Sequence, residues 1–386
     1  MDIQSEPGVP HIAPAQRFWQ QVRRNASPIF GVVTLFLLAF VFGKPPEVAV
    51  SGAQQVRLGY FANVTHAPAV LGVASGDFQS ALGRPGLVTL EPKVFNAGPE
   101  AMEALLAGAI DICYVGPAPA ANTYLKSHGE ALRIVAGACS GGAALVARQG
   151  LSITTVHDLE GHRVAIPQIG GTQDISLRHF LAEQKLYGTE KGGTVTILAV
   201  KNADMLALFK RNELDAAWVP EPWAARLIHD ANATLVLDER DLWPDRKVTS
   251  TVVVVRRTYL EQHPGEVSHL LAAHIQKLEW MQQHPVEAQG DMNRELKHLT
   301  GKSLSAAVLA EAWKRCDFTA DPNPQSIRAF IQAQYDAGYL PMLVDVNQLL
   351  DTRLLQQVLS QKTSSQNRSS QQISVQQIAL DPAIKK

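Results

Sequence analysis

The stretch Ala101-Met102-Glu103-Ala104-Leu105-Leu106-Ala107-Gly108-Ala109-Ile110-Asp111-Ile112-Cys113-Tyr114-Val115 runs into Gly116-Pro117-Ala118-Pro119, and it is echoed later in the chain. The echo runs from Met205 through Phe209, Leu214 and Asp215 to Val219, and ends in Pro220-Glu221-Pro222-Trp223. Each copy reads as an amphipathic helix, a short turn, an aspartate, a buried strand and a proline-rich loop at the strand end. Met102, Leu105, Leu106 and Ala109 share one helical face; Pro99 suits the first helical position and Gly108 the stop. In open α/β sheets ligands bind beyond the carboxyl ends of the strands. Two such loops in two similar lobes predict two walls facing each other across a cleft. Asp111 and Asp215 stand at strand starts, away from those ends, and read as turn caps without a binding role.

The flanking sequence extends the same alternation. Val56 to Phe61 reads as a first strand entering the loop Ala62 to Pro68, with a helix from about Pro68 to Ser75. Val88 to Phe95 alternates as a strand. Leu132 to Ala136 and Ala143 to Ala147 are strands joined by the glycine-rich Gly137-Ala138-Cys139-Ser140-Gly141-Gly142, which suits a crossing between lobes. Val164 to Pro167 and Val195 to Leu198 are further strands. Thr251 to Val255 is a continuous apolar strand fit to carry the chain back, and a helix follows over about Glu266 to Gln283. The expected division is residues 1–54 as stub, export segment and linker, 55–147 with 250–345 as lobe 1, 148–249 as lobe 2, and 346–386 as a tail. From about Lys362 the composition turns to Ser, Gln and Asn, which predicts low order.

A chain of 386 residues with 46% hydrophobic and 18% charged residues can bury the cores of two domains. The net charge of −1 and the lack of basic clusters exclude nucleic acid as a partner. Cys113, Cys139 and Cys316 form no C-x-x-C and read as structural thiols, with one disulfide left open. Arg17, Arg23 and Arg24 precede an apolar run from Pro28 to Gly43. Beside a buried soluble helix, two leading readings stay open: a signal peptide cleaved near Ala49 to Ala53, or a retained membrane anchor through residues 28–43. Both place the rest of the chain outside the cytoplasm.

Several motifs resemble the substrate-binding proteins of ABC importers for nitrate, sulfonate, taurine and bicarbonate. In the first half these are Gly59-Tyr60-Phe61 with Thr65-His66-Ala67-Pro68, Phe95-Asn96-Ala97-Gly98-Pro99, Gly108-Ala109-Ile110-Asp111 and Tyr114-Val115-Gly116-Pro117. Asp158-Leu159-Glu160-Gly161, Gly171-Thr172-Gln173-Asp174, Asp215-Ala216-Ala217-Trp218 with Glu221-Pro222-Trp223, and Tyr259 to Pro264 continue the likeness over about residues 55 to 340. The resemblance implies an α/β two-lobe periplasmic-binding-protein fold of type II, with two hinge crossings and a cleft between the lobes. It also implies a small anionic or zwitterionic solute, an ABC permease with its ATPase as partners, and no cofactor.

An anion in a cleft needs donors that are cheap to desolvate, and helix N-termini supply them. Gly170-Gly171-Thr172 offers one, since glycine allows close backbone approach and Thr172 adds a hydroxyl. Asn63, Thr65 and His66 follow the first strand and line the first lobe's wall, and Gly116 and Pro117 shape the wall opposite. Ser140, Gly141 and Gly142 present donors beside the hinge. Glu221 and Trp223 belong to the second wall: Trp223 to pack on an apolar portion, Glu221 to accept from an amine or hold a neighbouring donor. Tyr60 and Phe61, ending the first strand, and Gln173, beside Thr172, complete the set. Asp174 stands beside Thr172, where a carboxylate either points away or meets an ammonium. Closure is expected about Gly142 and Thr251, and Thr172→Ala and Glu221→Ala are expected to weaken binding without unfolding.

Two other functions compete. A membrane-tethered sensor would use the same clamp to signal. An enzyme would use Gly137-Ala138-Cys139-Ser140-Gly141 as a thiol nucleophile elbow, but that motif needs a strand-to-helix turn, and the following Ala143 to Ala147 reads as strand. His269 and His274 are five apart and share no helix face as metal ligands would. No catalytic and no metal-binding residue is assigned.

Overall fold

The computed structural model describes residues 54–83 and 87–364. The apolar run at Pro28 to Gly43, with its cleavage and anchor readings, lies outside the described residues, as does the tail beyond residue 364. Among the described residues no helix is long and apolar enough to cross a membrane.

The first lobe opens with β1 (Gln54–Phe61), α1 (Ala67–Ala74) and α2 (Asp77–Leu82). It continues through β2 (Val88–Phe95), α3 (Gly98–Leu106), β3 (Ile112–Val115), α4 (Pro117–Lys126) and β4 (Leu132–Gly141). The second holds β5 (Ala143–Ala147), β6 (Arg163–Ile166), α5 (Thr172–Ala182), β7 (Thr196–Ala199) and α6 (Asn202–Lys210). β8 (Ala216–Pro220), α7 (Trp223–Ala231) and β9 (Thr234–Asp238) complete it. The chain returns on β10 (Thr249–Arg256) and adds α8 (Arg257–Gln262), α9 (Pro264–Gln283), α10 (Pro285–Thr300) and α11 (Ala306–Lys314). β11 (Cys316–Asp317), α12 (Pro324–Asp336), α13 (Val346–Leu349) and a helix over residues 353–364 follow. Val346, Leu349, Leu355 and Val358 are buried in the first lobe's core clusters.

The first sheet has the order β11-β4-β10-β3-β1-β2 and the second β7-β6-β8-β5-β9. β1 is parallel to β2 and β3, and β10 is antiparallel to β3 and β4. β6 is parallel to β7 and β8, and β5 is antiparallel to β8 and β9. Five strands therefore superpose in order and direction, so α3–β3 and α6–β8 occupy equivalent places. The alternation of β1 sends Val56, Leu58 and Tyr60 into one core and Phe61 into the other.

Asp111 and Asp215 are not the turn caps expected from their position. Asp111 accepts from the Arg57 backbone at 3.1 Å, from Arg57 Nε at 2.8 Å and from Arg256 Nη2 at 2.7 Å. Asp215 repeats this with the Arg163 backbone and Nε, both at 2.9 Å, and Arg148 Nε at 3.0 Å. Each carboxylate ties three neighbouring strands together at the end of the sheet away from the cleft.

Two further expectations need correction. The glycine-rich stretch from Gly137 is not a loop, because β4 runs on to Gly141. Glycine at 137 is required for packing: a Cβ there would lie 2.2 Å from the Asp321 carbonyl oxygen. Cys139 thus sits buried in a strand that leads to another strand, and the nucleophile-elbow geometry is absent. The proline-rich segments after β3 and β8 are not extended loops either. Pro117 opens α4, where its missing N–H costs nothing, and β8 extends through Pro220.

Between the sheets the chain crosses at Gly142 and again between β9 and β10. Gly142 has φ +78°, and a Cβ on it would lie 2.6 Å from Thr65 Cγ2. All three cysteines are free, buried thiols.

Candidate functional site

The carboxyl ends of the parallel strands in both lobes face one hollow, the place where open α/β sheets take their ligands. Phe61, Asn63, Thr65 and His66 line it from the end of β1. Gly116 lines it at the start of α4, and Gly171, Thr172 and Gln173 at the start of α5. These eight of the expected site residues are brought together. Asn96, Ala97 and Gly98 join them at the mouth of α3, and Pro167, Gln168 and Asn202 at the ends of β6 and β7. Pro119, Pro220 and Ser250 complete the lining. The strand-end rule applied to β2 and β7, and not only to the repeated pair, would have found Asn96, Gly98 and Asn202.

The other expected residues lie outside the lining. Tyr60 is 2% exposed in the core on the far face of the sheet from Phe61, because adjacent strand residues point to opposite sides. Pro117 is buried at the first turn of α4. Ser140 spends its hydroxyl oxygen on the Val248 backbone N–H at 3.2 Å. Gly141 and Gly142 serve the crossing, both at positive φ. Gly170, with φ +74°, donates its N–H to Asp174 Oδ2 at 2.8 Å.

Glu221 is fully buried away from the hollow and pairs with Arg315 Nη1 at 2.6 Å. Its second oxygen accepts from the Ala225 N–H at 3.1 Å. Burial raises its carboxyl to about 7, against the downward pull of Arg315. Trp223 donates Nε1–H to Asn63 Oδ1 at 2.9 Å, bridging the lobes. That contact turns the amide of Asn63 so that Nδ2 is its free end. Asp174 also points away, accepting from Arg178 Nε at 2.8 Å and from the Tyr339 hydroxyl at 2.7 Å.

The donors that remain are uncharged. His66 is 3% exposed, and desolvation lowers its pKa to about 3, so the imidazole is neutral. Its Nδ1 accepts from the Phe61 N–H at 3.4 Å, which puts the ring proton on Nε2. Across the hollow the N-terminus of α5 supplies the Thr172 hydroxyl and free first-turn amides. The two walls already touch, since a Cβ on Gly116 would lie 1.9 Å from Thr172 Oγ1.

The sequence profile of the NMT1-like family matches residues 50–292, more than half of the chain. The chain belongs to the NMT1-like family. It is 23% identical over 277 residues to a putative binding protein of Brucella abortus, covering 69% of this chain and 82% of that one. It is 26% identical over 215 residues to the taurine-binding periplasmic protein of Escherichia coli K12, covering 56% and 63% of the two chains. Among solved structures, the alkanesulfonate-binding protein SsuA of Xanthomonas axonopodis bound to MOPS superposes with a TM-score of 0.65 at 21% identity. That match covers 78% of this chain and 99% of the other. This member of the NMT1-like family thus has the two-lobe periplasmic-binding-protein fold expected from its sequence.

Proposed function

We propose that the protein is the extracytoplasmic solute-binding component of an ABC importer. It captures a small oxyanion or organosulfonate between its lobes and hands it to a membrane permease with its ATPase. The observation that carries this reading is the meeting of Thr172 on α5 with Asn63 and His66 on the opposite wall of one hollow. Neutral donors and helix N-termini hold an anion without the desolvation cost of a buried cation. Closure excludes water, which strengthens each donor–anion contact. The names of the Escherichia coli and Xanthomonas relatives favour a sulfonate-bearing solute. The N-terminal arginines and apolar run favour export.

Titration calorimetry against nitrate, short alkanesulfonates and taurine tests the reading. Thr172→Ala removes one hydroxyl donor and should weaken the tightest ligand about ten-fold, the worth of one such bond to a charged group. Its thermal midpoint should stay unchanged. Wild-type affinity in Thr172→Ala for every solute that binds would contradict the assignment.

A further inference from the structure

The same hollow also discriminates at the end of the ligand away from the anion. Among the described residues its lining holds no Asp, Glu, Lys or Arg. The two carboxylates that directly adjoin lining residues in sequence are turned away and answered by arginines, and Glu100, exposed outside the lining, accepts from the Asn96 N–H at 3.3 Å. Asp174 sits in the first turn of α5, fully buried, bound to Arg178, Gly170 and Tyr339. Glu221, after β8, is bound to Arg315 and Ala225. Neither has an oxygen to spare for the hollow.

The side-chain acceptors on its walls are weak. Asn202 Oδ1 is buried without a donor, and Ser250 Oγ gives its proton to the Cys139 carbonyl at 3.1 Å. Both are neutral. An ammonium moved from water into this hollow would lose hydration and meet no carboxylate in its lining, which is the costly case for a buried ion. The α5 N-terminus adds a partial positive charge that repels it.

We infer that this protein selects oxyanions carrying no cationic group, such as nitrate or an alkanesulfonate, and rejects zwitterionic aminosulfonates. The inference rests on the oxyanion reading above and narrows it. Asn202 Oδ1 accommodates an uncharged donor on the ligand tail and does not replace a carboxylate.

The test is calorimetry of the full chain at pH 7 with ethanesulfonate, nitrate and taurine. Ethanesulfonate and taurine share the sulfonate and the two-carbon chain and differ by the ammonium. Either ethanesulfonate or nitrate should bind at least about ten-fold tighter than taurine, the gap an unpaired buried charge produces at minimum. Taurine binding as tightly as both, or tighter, would overturn the selectivity and leave the oxyanion site standing. Absence of heat or competition from all three overturns the oxyanion reading itself, and this inference with it.

Discussion

Glu221 holds neighbouring donors, one of the two tasks that sequence offered it. Its position after β8, beside a tryptophan, marks it as a wall residue by sequence. In three dimensions the acid anchors Arg315, reached across 94 positions of chain, and that pairing leaves no trace in local spacing. Arg315 is itself 6% exposed and also binds Glu311, which in turn meets His229 at 2.5 Å. Truncating one partner strands the other charge. Glu221→Ala should therefore destabilise the protein by about 3–5 kcal/mol in urea unfolding, the cost typical of a broken buried pair. This replaces the expectation of weaker binding with an intact fold. A shift near zero would show that Arg315 finds water or another acceptor. Thr172, Asn63 and His66 were legible because turn residues at strand ends need no long-range information. Tyr60 and Phe61 were not separable, since an isolated strand does not declare which of its faces meets the cleft.

At the scale of the element, duplication was the readable signal. The helix–turn–Asp–strand pattern recurs at equivalent places in both sheets, and in both aspartate clamps the first arginine offers the same backbone N–H and Nε donors. The exit from each strand was harder, because prolines read equally as loop and as helix start. The glycines of β4 misled for a related reason: they mark close approach of another segment, which sequence does not reveal. Gly116 is the most exacting of these positions for function. Its missing side chain lets the start of α4 meet Thr172 across the hollow, and an added methyl would displace the Thr172 hydroxyl. Gly116→Ala should weaken ligand binding about ten-fold, comparable with losing the Thr172 donor itself. Because the φ of this residue is −68°, the backbone accepts alanine, so the unfolding midpoint should hold. The pair is read by calorimetry beside urea unfolding; unchanged affinity would mean that the walls do not close on this contact.

Across the whole molecule the lobes are joined by more than the two crossings. Phe330 on α12 packs its ring against Trp243, tilted by 31° at 4.7 Å between centroids, and shares a core cluster with Ala118 and Ile175. Such buried groups also set the response to pH. His66 and His274 are held neutral by burial, at about 3 and about 4. The unfolded chain takes those protons first, so this share of stability is full above about pH 6.5 and shrinks as pH falls. Glu239, buried against Ser176, lies at about 7, so there the folded chain takes the proton first. That share grows as pH falls from about 7 to 4.5, and Glu221 acts in the same sense. The opposing slopes should leave unfolding free energy nearly flat over that window. Below about pH 4 it should fall steeply, as Asp111 and Asp215 lose the ion pairs that hold their carboxyls below the usual range. In Glu239→Gln only Glu221 still compensates, and a shallow decline should begin near pH 6.5. Urea midpoints across pH check this; a Glu239→Gln profile parallel to the wild type would refute it.

The account depends on an oxyanion resting between the lobes, and a crystal structure grown with ethanesulfonate, located by the anomalous signal of its sulfur, tests that most directly. The sulfur peak should lie in the hollow with sulfonate oxygens within hydrogen-bond reach of Thr172 and of His66 Nε2. A peak anywhere else on the molecule, with the space between α5 and the end of β1 left unliganded at saturating ethanesulfonate, would contradict it.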